Sequence, residues 1–167
     1  MSMNATHPLF VDQASDLLPL DEISAMGGLA FMEGILRGSL PSPPICRTLN
    51  FHLVEVKEGS VAFEGDPQFH HCNPIGTIHG GWYGAVLDSC MACAVMTKLP
   101  KGKIYTTVEY KINVIRAIPI GQKIRATGVI DHVGRSTGVA HGTITDETGQ
   151  KIFATGSTTC LIMTYSS

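Results

Sequence analysis

Basic side chains are few and unclustered in this chain of 167 residues. It carries 12 Lys and Arg against 14 Asp and Glu, so its formal net charge at pH 7 is −2 with histidine neutral. No run of lysine or arginine forms the basic patch that follows a nucleic-acid backbone. We therefore expect no nucleic-acid partner.

The N-terminal part lacks basic residues altogether, because the first one is Arg37. It has neither the positive start of a secretory signal nor the arginine content of a transit peptide. A regular cysteine framework is also missing, since the five cysteines are odd in number and irregularly spaced. These absences predict reduced thiols in a cytoplasmic protein.

No apolar run is long enough to cross a membrane. The longest one, residues 80–96, is interrupted by Asp88 and is shorter than the roughly 20 apolar residues that a membrane span requires. It predicts a buried helix and no membrane partner.

Length and a hydrophobic content of 44% predict one core. Three prolines between Ser39 and Pro44 favour a linker, so we predict an N-terminal extension at residues 1–44 and a domain at residues 45–167. Within the extension, a helix is predicted at residues 21–37, with Asp21 as its N-cap and Gly38 just past its end.

The domain is predicted to contain about six strands around one helix. A hairpin joins residues 47–56 to 60–65 through Gly59, and alternation from Thr107 to Val114 predicts a strand with one buried face, that of Val108, Tyr110, Ile112 and Val114. Three further strands are predicted at residues 123–133, 137–145 and 151–163. Short connections favour antiparallel neighbours, so the fold class is α+β, an antiparallel sheet curled around a central helix.

Gly80 and Gly81 are placed where that helix begins. The first turn of a helix presents unpaired N–H groups, and without Cβ atoms a carbonyl can approach closely, so an oxygen that gains charge in acyl transfer can be held there. The alternative is that these glycines only permit a tight turn.

Asp88 lies among apolar neighbours on the same helix. A buried carboxylate is costly, which favours a functional acid. The alternative is that Asp88 pairs with Lys or Arg, or lies on the solvent-exposed face of the helix. Asn73 is able to contact a substrate carbonyl but is commonly a turn former, and His79 is expected to cap the helix or brace the loop.

Gly80 and Asp88 are eight residues apart, about 12 Å of helical rise, which is too far for both to touch one scissile bond. If both are catalytic, a two-fold dimer with composite sites is the simplest arrangement.

The pattern formed by Asn73, His79, Gly80, Gly81 and Asp88 resembles the hotdog-fold acyl-CoA thioesterases of the phenylacetate-degradation type. The resemblance implies a hydrolase that acts on acyl-CoA without a cofactor, as a homodimer or a tetramer of two dimers with shared active sites. Asp88 would be the nucleophile or the general base, and the Gly80 N–H would polarise the thioester carbonyl beside Gly81, with His79 shaping the turn.

By the same resemblance, Asn73 would position the thioester or the attacking water, and Thr107 would hold water near the acid. Arg135 would contact the coenzyme A phosphates, although an ordinary charged hairpin tip is the alternative. The acyl group, aromatic or medium-chain, stays open.

Other functions fit the same fold. A hydratase or dehydratase of acyl thioesters is one alternative, and a non-catalytic acyl-CoA-binding or aromatic-ligand-binding protein is another. A metal site is not expected, because the spacing of His70, His71, Cys72 and His79 matches no common zinc pattern.

Overall fold

The computed structural model describes residues 8–165. It contains, in chain order, the helices and strands α1 (Leu20–Ala25), α2 (Gly28–Leu36), α3 (Pro44–Thr48), β1 (Phe51–Lys57), β2 (Ser60–Gly65), α4 (Gly80–Met96), β3 (Lys103–Val114), β4 (Ile124–Val133), β5 (Thr137–Asp146) and β6 (Ile152–Thr164). Single 3₁₀ turns lie at Ala14–Asp16 and Phe69–His71.

The six strands form one sheet in the order β1-β2-β4-β5-β6-β3, and every neighbouring pair is antiparallel. The sheet packs around α4, whose side chains are buried on most sides, with Val86, Leu87 and Cys90 fully enclosed. The α+β fold class predicted from the sequence is confirmed. No helix within residues 8–165 is long and apolar enough to cross a membrane.

Glycine on β4 lets the helix approach the sheet closely. A Cβ atom on Gly128 would lie 2.2 Å from the carbonyl oxygen of Cys90 on α4, a separation that no side chain tolerates. The middle of α4, which carries Asp88, is therefore seated against the sheet by backbone-to-backbone contact.

The predicted single helix at residues 21–37 is wrong, because the chain forms α1 and α2 with a break at Met26 and Gly27. The Gly28 N–H donates to the carbonyl oxygen of Leu99 at 2.9 Å, and a Cβ on Gly28 would lie 1.8 Å from the Met96 carbonyl oxygen. This tertiary contact at the end of α4 fixes where α2 begins. Gly38 does follow the helix, with φ at +69°.

The predicted strand at residues 47–56 also begins too early. Helix α3 occupies Pro44–Thr48, with proline in its first turn, where a missing N–H costs nothing, and β1 starts only at Phe51. The hairpin to β2 forms as predicted, and Gly59 at its turn has φ of +81°. Helix α3 crosses the predicted boundary between residues 44 and 45. The division into an extension and a domain stays a prediction.

Strand β3 differs most from its prediction. It pairs with β6 at the edge of the sheet and not with its chain neighbour β4. Its expected buried face is largely exposed, since the exposed fractions of Val108, Tyr110 and Val114 are 57%, 47% and 49%. The pairing with β6 shifts between Thr107 and Glu109, a bulge that breaks the alternation at Val108.

Candidate active site

The loop that precedes α4 is closed by its own hydrogen bonds. The Asn73 N–H donates to the Thr77 carbonyl at 2.8 Å, and the Asn73 side-chain oxygen accepts the N–H groups of Ile75 and Thr77 at 3.1 and 3.2 Å. Its amide nitrogen donates to the Thr77 hydroxyl at 2.8 Å. In this structure Asn73 therefore braces the loop, as an asparagine turn former does.

His79 is the N-cap of α4. Its Nδ1 accepts the Gly81 N–H at 2.9 Å, and its own backbone N–H donates to the His71 carbonyl at 2.9 Å. Because Nδ1 is the acceptor, a neutral His79 ring carries its proton on Nε2. The capping role expected for His79 is confirmed, and it orients the first turn of the helix.

The two glycines at the helix start differ in what they expose. The Gly81 N–H is used by His79, and a Cβ on Gly81 would lie 3.0 Å from Nδ1. No acceptor among residues 8–165 takes the Gly80 N–H, and nothing lies within 4 Å of where a Gly80 Cβ would stand. Gly80 thus offers a free donor, backed by the positive end of a helix of 17 residues.

Asp88 lies halfway along α4 and is half-buried. The Thr107 hydroxyl on β3 donates to its Oδ1 at 2.9 Å, and no Lys, Arg or His within the described part of the chain forms an ion pair with it. Burial raises the pKa of the Asp88 carboxyl above its usual value, and the Thr107 hydrogen bond opposes this. The ion-paired alternative for Asp88 does not occur here.

Thr107 and Tyr110 both face α4 because of the bulge in β3. Before the bulge, Tyr105 and Thr107 face the helix, and after it Tyr110 does, with its hydroxyl beside Gly84. A simple alternation through Thr107 and Tyr110 would place these two on opposite faces of the strand. The extra residue, Val108, therefore keeps both side chains on the side of the acid.

Two cavities meet at this pair of residues. An inner cavity of about 620 Å³ lies between the sheet, α4 and the N-terminal helices, and an outer cleft of about 460 Å³ lies along the edge strand β3. Asp88 and Thr107 are the residues that border both. The carboxyl is thus reachable from an apolar interior and from the edge of the sheet.

Arg135 stands apart from this arrangement. It is exposed in the turn between β4 and β5, which is closed by a hydrogen bond of 2.8 Å from the Gly134 N–H to the Thr137 carbonyl. It borders neither cavity within one subunit. Among residues 8–165, no three His, Cys, Asp or Glu side chains are grouped as metal ligands.

Sequence reasoning missed two parts of the site. Tyr105, half-buried beside Cys93, borders the inner cavity, and desolvation raises the pKa of its hydroxyl well above the usual value. Its position two residues before Thr107 is a period-two signal that was available. The N-terminal helices that close the inner cavity had no comparable signal, because their position depends on contacts with distant residues.

Comparison with known proteins agrees with this geometry. Residues 75–153 match the family model described as the Thioesterase superfamily. Acyl-coenzyme A thioesterase 13 of Mus musculus is 30% identical over 86 residues, which are 52% of this chain and 61% of that protein. The matched region thus spans about three fifths of the length of this curated relative.

Solved structures share the fold. A phenylacetic acid degradation-related protein from Ralstonia eutropha JMP134 is 26% identical, with a TM-score of 0.71 over 78% of this chain and 98% of that one. The protein smu.793 from Streptococcus mutans UA159, solved bound to acetyl CoA, is 22% identical, with a TM-score of 0.62 over 71% of this chain and 92% of that one.

An antiparallel sheet curled around one long helix is the hotdog fold, which the solved relatives share. Over residues 75–153 the chain matches the Thioesterase superfamily, and the resemblance to hotdog-fold thioesterases predicted from the sequence is confirmed.

Proposed function

We propose that the protein is an acyl-CoA thioesterase, which hydrolyses an acyl-CoA to a free acid and coenzyme A. The observation that carries the proposal is Asp88, a half-buried carboxyl without a cationic partner among residues 8–165, which receives a hydrogen bond from Thr107 and borders two cavities. A carboxyl with a raised pKa in an apolar cleft is typical of an acid–base or nucleophilic group. The family match and the acetyl-CoA-bound structural relative support the choice of substrate.

In the reaction, the Asp88 carboxylate either removes a proton from water or attacks the thioester carbon itself. In the first route the water oxygen bonds to the carbonyl carbon, the C–S bond breaks, and the coenzyme A thiolate takes up a proton. In the second route the carboxylate oxygen bonds to the carbonyl carbon, the C–S bond breaks, and the coenzyme A thiolate takes up a proton from solvent; water then hydrolyses the acyl–aspartyl anhydride to the free acid and the Asp88 carboxyl. Thr107 keeps the carboxyl oriented in both routes.

The developing negative charge on the carbonyl oxygen would be held by the Gly80 N–H. Because Gly80 and Asp88 are eight residues apart on one helix, about 12 Å along its axis, one subunit cannot apply both groups to one bond. We propose that a second copy supplies the Gly80 N–H, so that each dimer has two composite sites.

The edge strand β3 is the surface that fits this dimer. It is 12 residues long, lies at the end of the sheet and leaves its outer backbone groups for a further strand. Its apolar side chains Val108, Tyr110 and Val114 are exposed, and the first two border the outer cleft together with Asp88. A copy paired along β3 would therefore place its own atoms next to Asp88. Association of two such dimers into a tetramer stays a prediction.

Coenzyme A would approach through the outer cleft, since the inner cavity is mostly apolar and the coenzyme is charged. Arg135 is proposed as a phosphate contact across the dimer, because it is exposed and makes no ion pair with any described residue.

The test is the release of free thiol from acyl-CoA and aroyl-CoA substrates by the native chain and by Asp88→Asn. Asparagine keeps the shape of the side chain and still accepts the Thr107 hydrogen bond, so folding should be preserved. Asp131→Asn is the matched control, because Asp131 is an exposed carboxylate paired with His141 on the sheet. We expect turnover to collapse only in Asp88→Asn. Equal turnover in both variants would overturn the assignment of Asp88, and binding of coenzyme A without turnover of any thioester would favour a non-catalytic binding protein.

A further inference from the structure

The inner cavity is built from two distant parts of the chain. One wall belongs to the sheet and α4, including Phe63, Met96 and Tyr105. The opposite wall belongs to the N-terminal segment, which we define as residues 8–48, and includes Ile23 and Phe31. Asp88 and Thr107 lie at the boundary where this cavity meets the outer cleft. A group attached to a carbonyl at Asp88 therefore has the N-terminal segment beside it.

The N-terminal wall is firmly attached to the domain. Met32 and Ile35 on α2 are 2% and 6% exposed and belong to the main hydrophobic core. The Gly28 N–H donates to the Leu99 carbonyl at 2.9 Å, and the Ser24 carbonyl accepts the Gly102 N–H at 2.8 Å. Contacts of this kind fix the position of a wall, so the size of the cavity is set by the fold.

A second set of contacts holds the start of the segment. The Arg47 guanidinium bonds Asp12 at 2.7 Å and lies 5.0 Å from the centre of the Phe10 ring. The Ser42 N–H donates to the Leu9 carbonyl at 2.7 Å. The chain before α1 is thereby tied to α3 and to the residues that precede it.

The lining of the cavity specifies its ligand. Apart from Asp88 and Thr107, most of it is formed by leucine, isoleucine, methionine, proline and aromatic side chains, and the remaining lining residues are Ser42, Cys46, Cys93 and Thr106. A polar or charged acyl group would lose its hydration there without gaining hydrogen bonds. The volume of about 620 Å³ lies within the range of pockets that enclose ligands of drug size, so an acetyl group would leave most of it empty.

Building on the proposed thioesterase function, we propose that the N-terminal segment is the specificity wall of the acyl site and selects medium-chain aliphatic acyl groups. A flexible chain of about eight or more carbons fits within such a volume and buries its methylene groups against the N-terminal wall.

The first experiment measures kcat/KM for straight-chain acyl-CoA substrates from acetyl upwards. Each added methylene should raise kcat/KM about fourfold until the cavity is full. Ile23→Trp fills the cavity from the N-terminal side, and so it should lower kcat/KM for decanoyl-CoA at least about tenfold more than for acetyl-CoA. Leu20→Trp is a second filling variant, whose native side chain is 52% exposed and so less needed for folding.

The matched control is Ile45→Trp, the same substitution at a side chain that is 47% exposed and does not border the cavity. This variant should leave the dependence of kcat/KM on acyl chain length unchanged. The proposal would be overturned if kcat/KM of the native protein did not depend on acyl chain length. It would also be overturned if Ile23→Trp and Ile45→Trp lowered kcat/KM for decanoyl-CoA equally while Leu20→Trp left it unaltered.

A binding series separates this inference from the proposed function. The affinity of Asp88→Asn for acetyl-, hexanoyl- and decanoyl-CoA is measured by calorimetry, which needs no turnover. If the native chain hydrolyses nothing but affinity still rises with chain length and Ile23→Trp abolishes the rise, the thioesterase proposal fails and the specificity wall stands. If hydrolysis occurs but neither kcat/KM nor affinity depends on chain length, the thioesterase proposal stands and the wall fails.

Discussion

Gly28→Ala should displace α2 from the end of α4 and so lower the stability of the protein. Gly28 opens α2, and its backbone lies against the end of α4. A Cβ atom added to it would lie 1.8 Å from the carbonyl oxygen and 2.8 Å from the carbonyl carbon of Met96. Neither atom belongs to a flexible side-chain end, so the whole helix α2 has to move away.

The expected loss of stability has two parts. Forcing a methyl group into a packed contact costs about 1–3 kcal/mol, and the hydrogen bond from Gly28 to Leu99, 2.9 Å long, contributes about 0.5–1.5 kcal/mol that displacement would lose. We expect a decrease of about 2–4 kcal/mol in the free energy of unfolding. For a chain of this length that corresponds to a fall in Tm of about 5–15 °C.

Gly27→Ala is the matched control. Gly27 is the adjacent residue, has φ of −72°, and has nothing within 4 Å of its would-be Cβ. Alanine at this position is a slightly poorer N-cap than glycine, which destabilises the folded protein, but it also restricts the unfolded chain, which stabilises it. The two effects oppose each other, so the free energy of unfolding should change by no more than about 1 kcal/mol. Thermal and urea unfolding should be followed at equal protein concentration, because association also affects Tm. A Gly28→Ala protein no less stable than Gly27→Ala would refute the close packing of α2 on α4.

Three further predictions concern the acid, a buried thiol and the edge strand. Burial raises the pKa of Asp88, and the proposed mechanism needs its ionised form, so kcat/KM should fall with decreasing pH at a pH above the usual aspartate range. Thr107→Val loses the hydrogen bond that lowers this pKa, so in that variant the fall should move to higher pH, and an unmoved profile would contradict the pairing. Cys46 is 2% exposed and burial raises its pKa to about 12, so an Ellman-type reagent should label it only after unfolding, and rapid labelling of this thiol in the native protein would show that it is accessible. Val114→Lys places a charge on the proposed dimer edge and should shift sedimentation towards the monomer, whereas sedimentation equal to that of the native chain would show that β3 is not the interface.

Local patterns predicted the core of the fold because each depends on near neighbours in sequence. Gly80 and Gly81 mark the start of α4, Gly59 marks the first hairpin, and four of the strands follow period-two or turn signals. Asp88 stood out because a carboxylate among apolar residues is costly. These signals need no knowledge of distant contacts.

The parts that sequence did not reveal depend on tertiary contacts. The break before Gly28 is set by the end of α4, and the pairing of β3 with β6 brings together segments about fifty residues apart. The bulge at Val108 leaves no local sign, yet it is what lets both Thr107 and Tyr110 face α4. The cavity wall likewise exists only once α1 and α2 are folded against the domain. The cytoplasmic location and the dimer or tetramer stay predictions.

The most direct test of the central claim, thioester hydrolysis at a site shared by two subunits, mixes two inactive variants. Asp88→Asn removes the acid, and Gly80→Val blocks the free N–H at a position with open space around it, so each homodimer should be inactive. After the two are refolded together in equal amounts, heterodimers would carry one site with native Asp88 from one subunit and native Gly80 from the other. Recovery of about one quarter of native turnover is expected, because half of the dimers are heterodimers and each has one intact site. A mixture that forms heterodimers but stays inactive would contradict it, because both groups would then have to come from the same subunit.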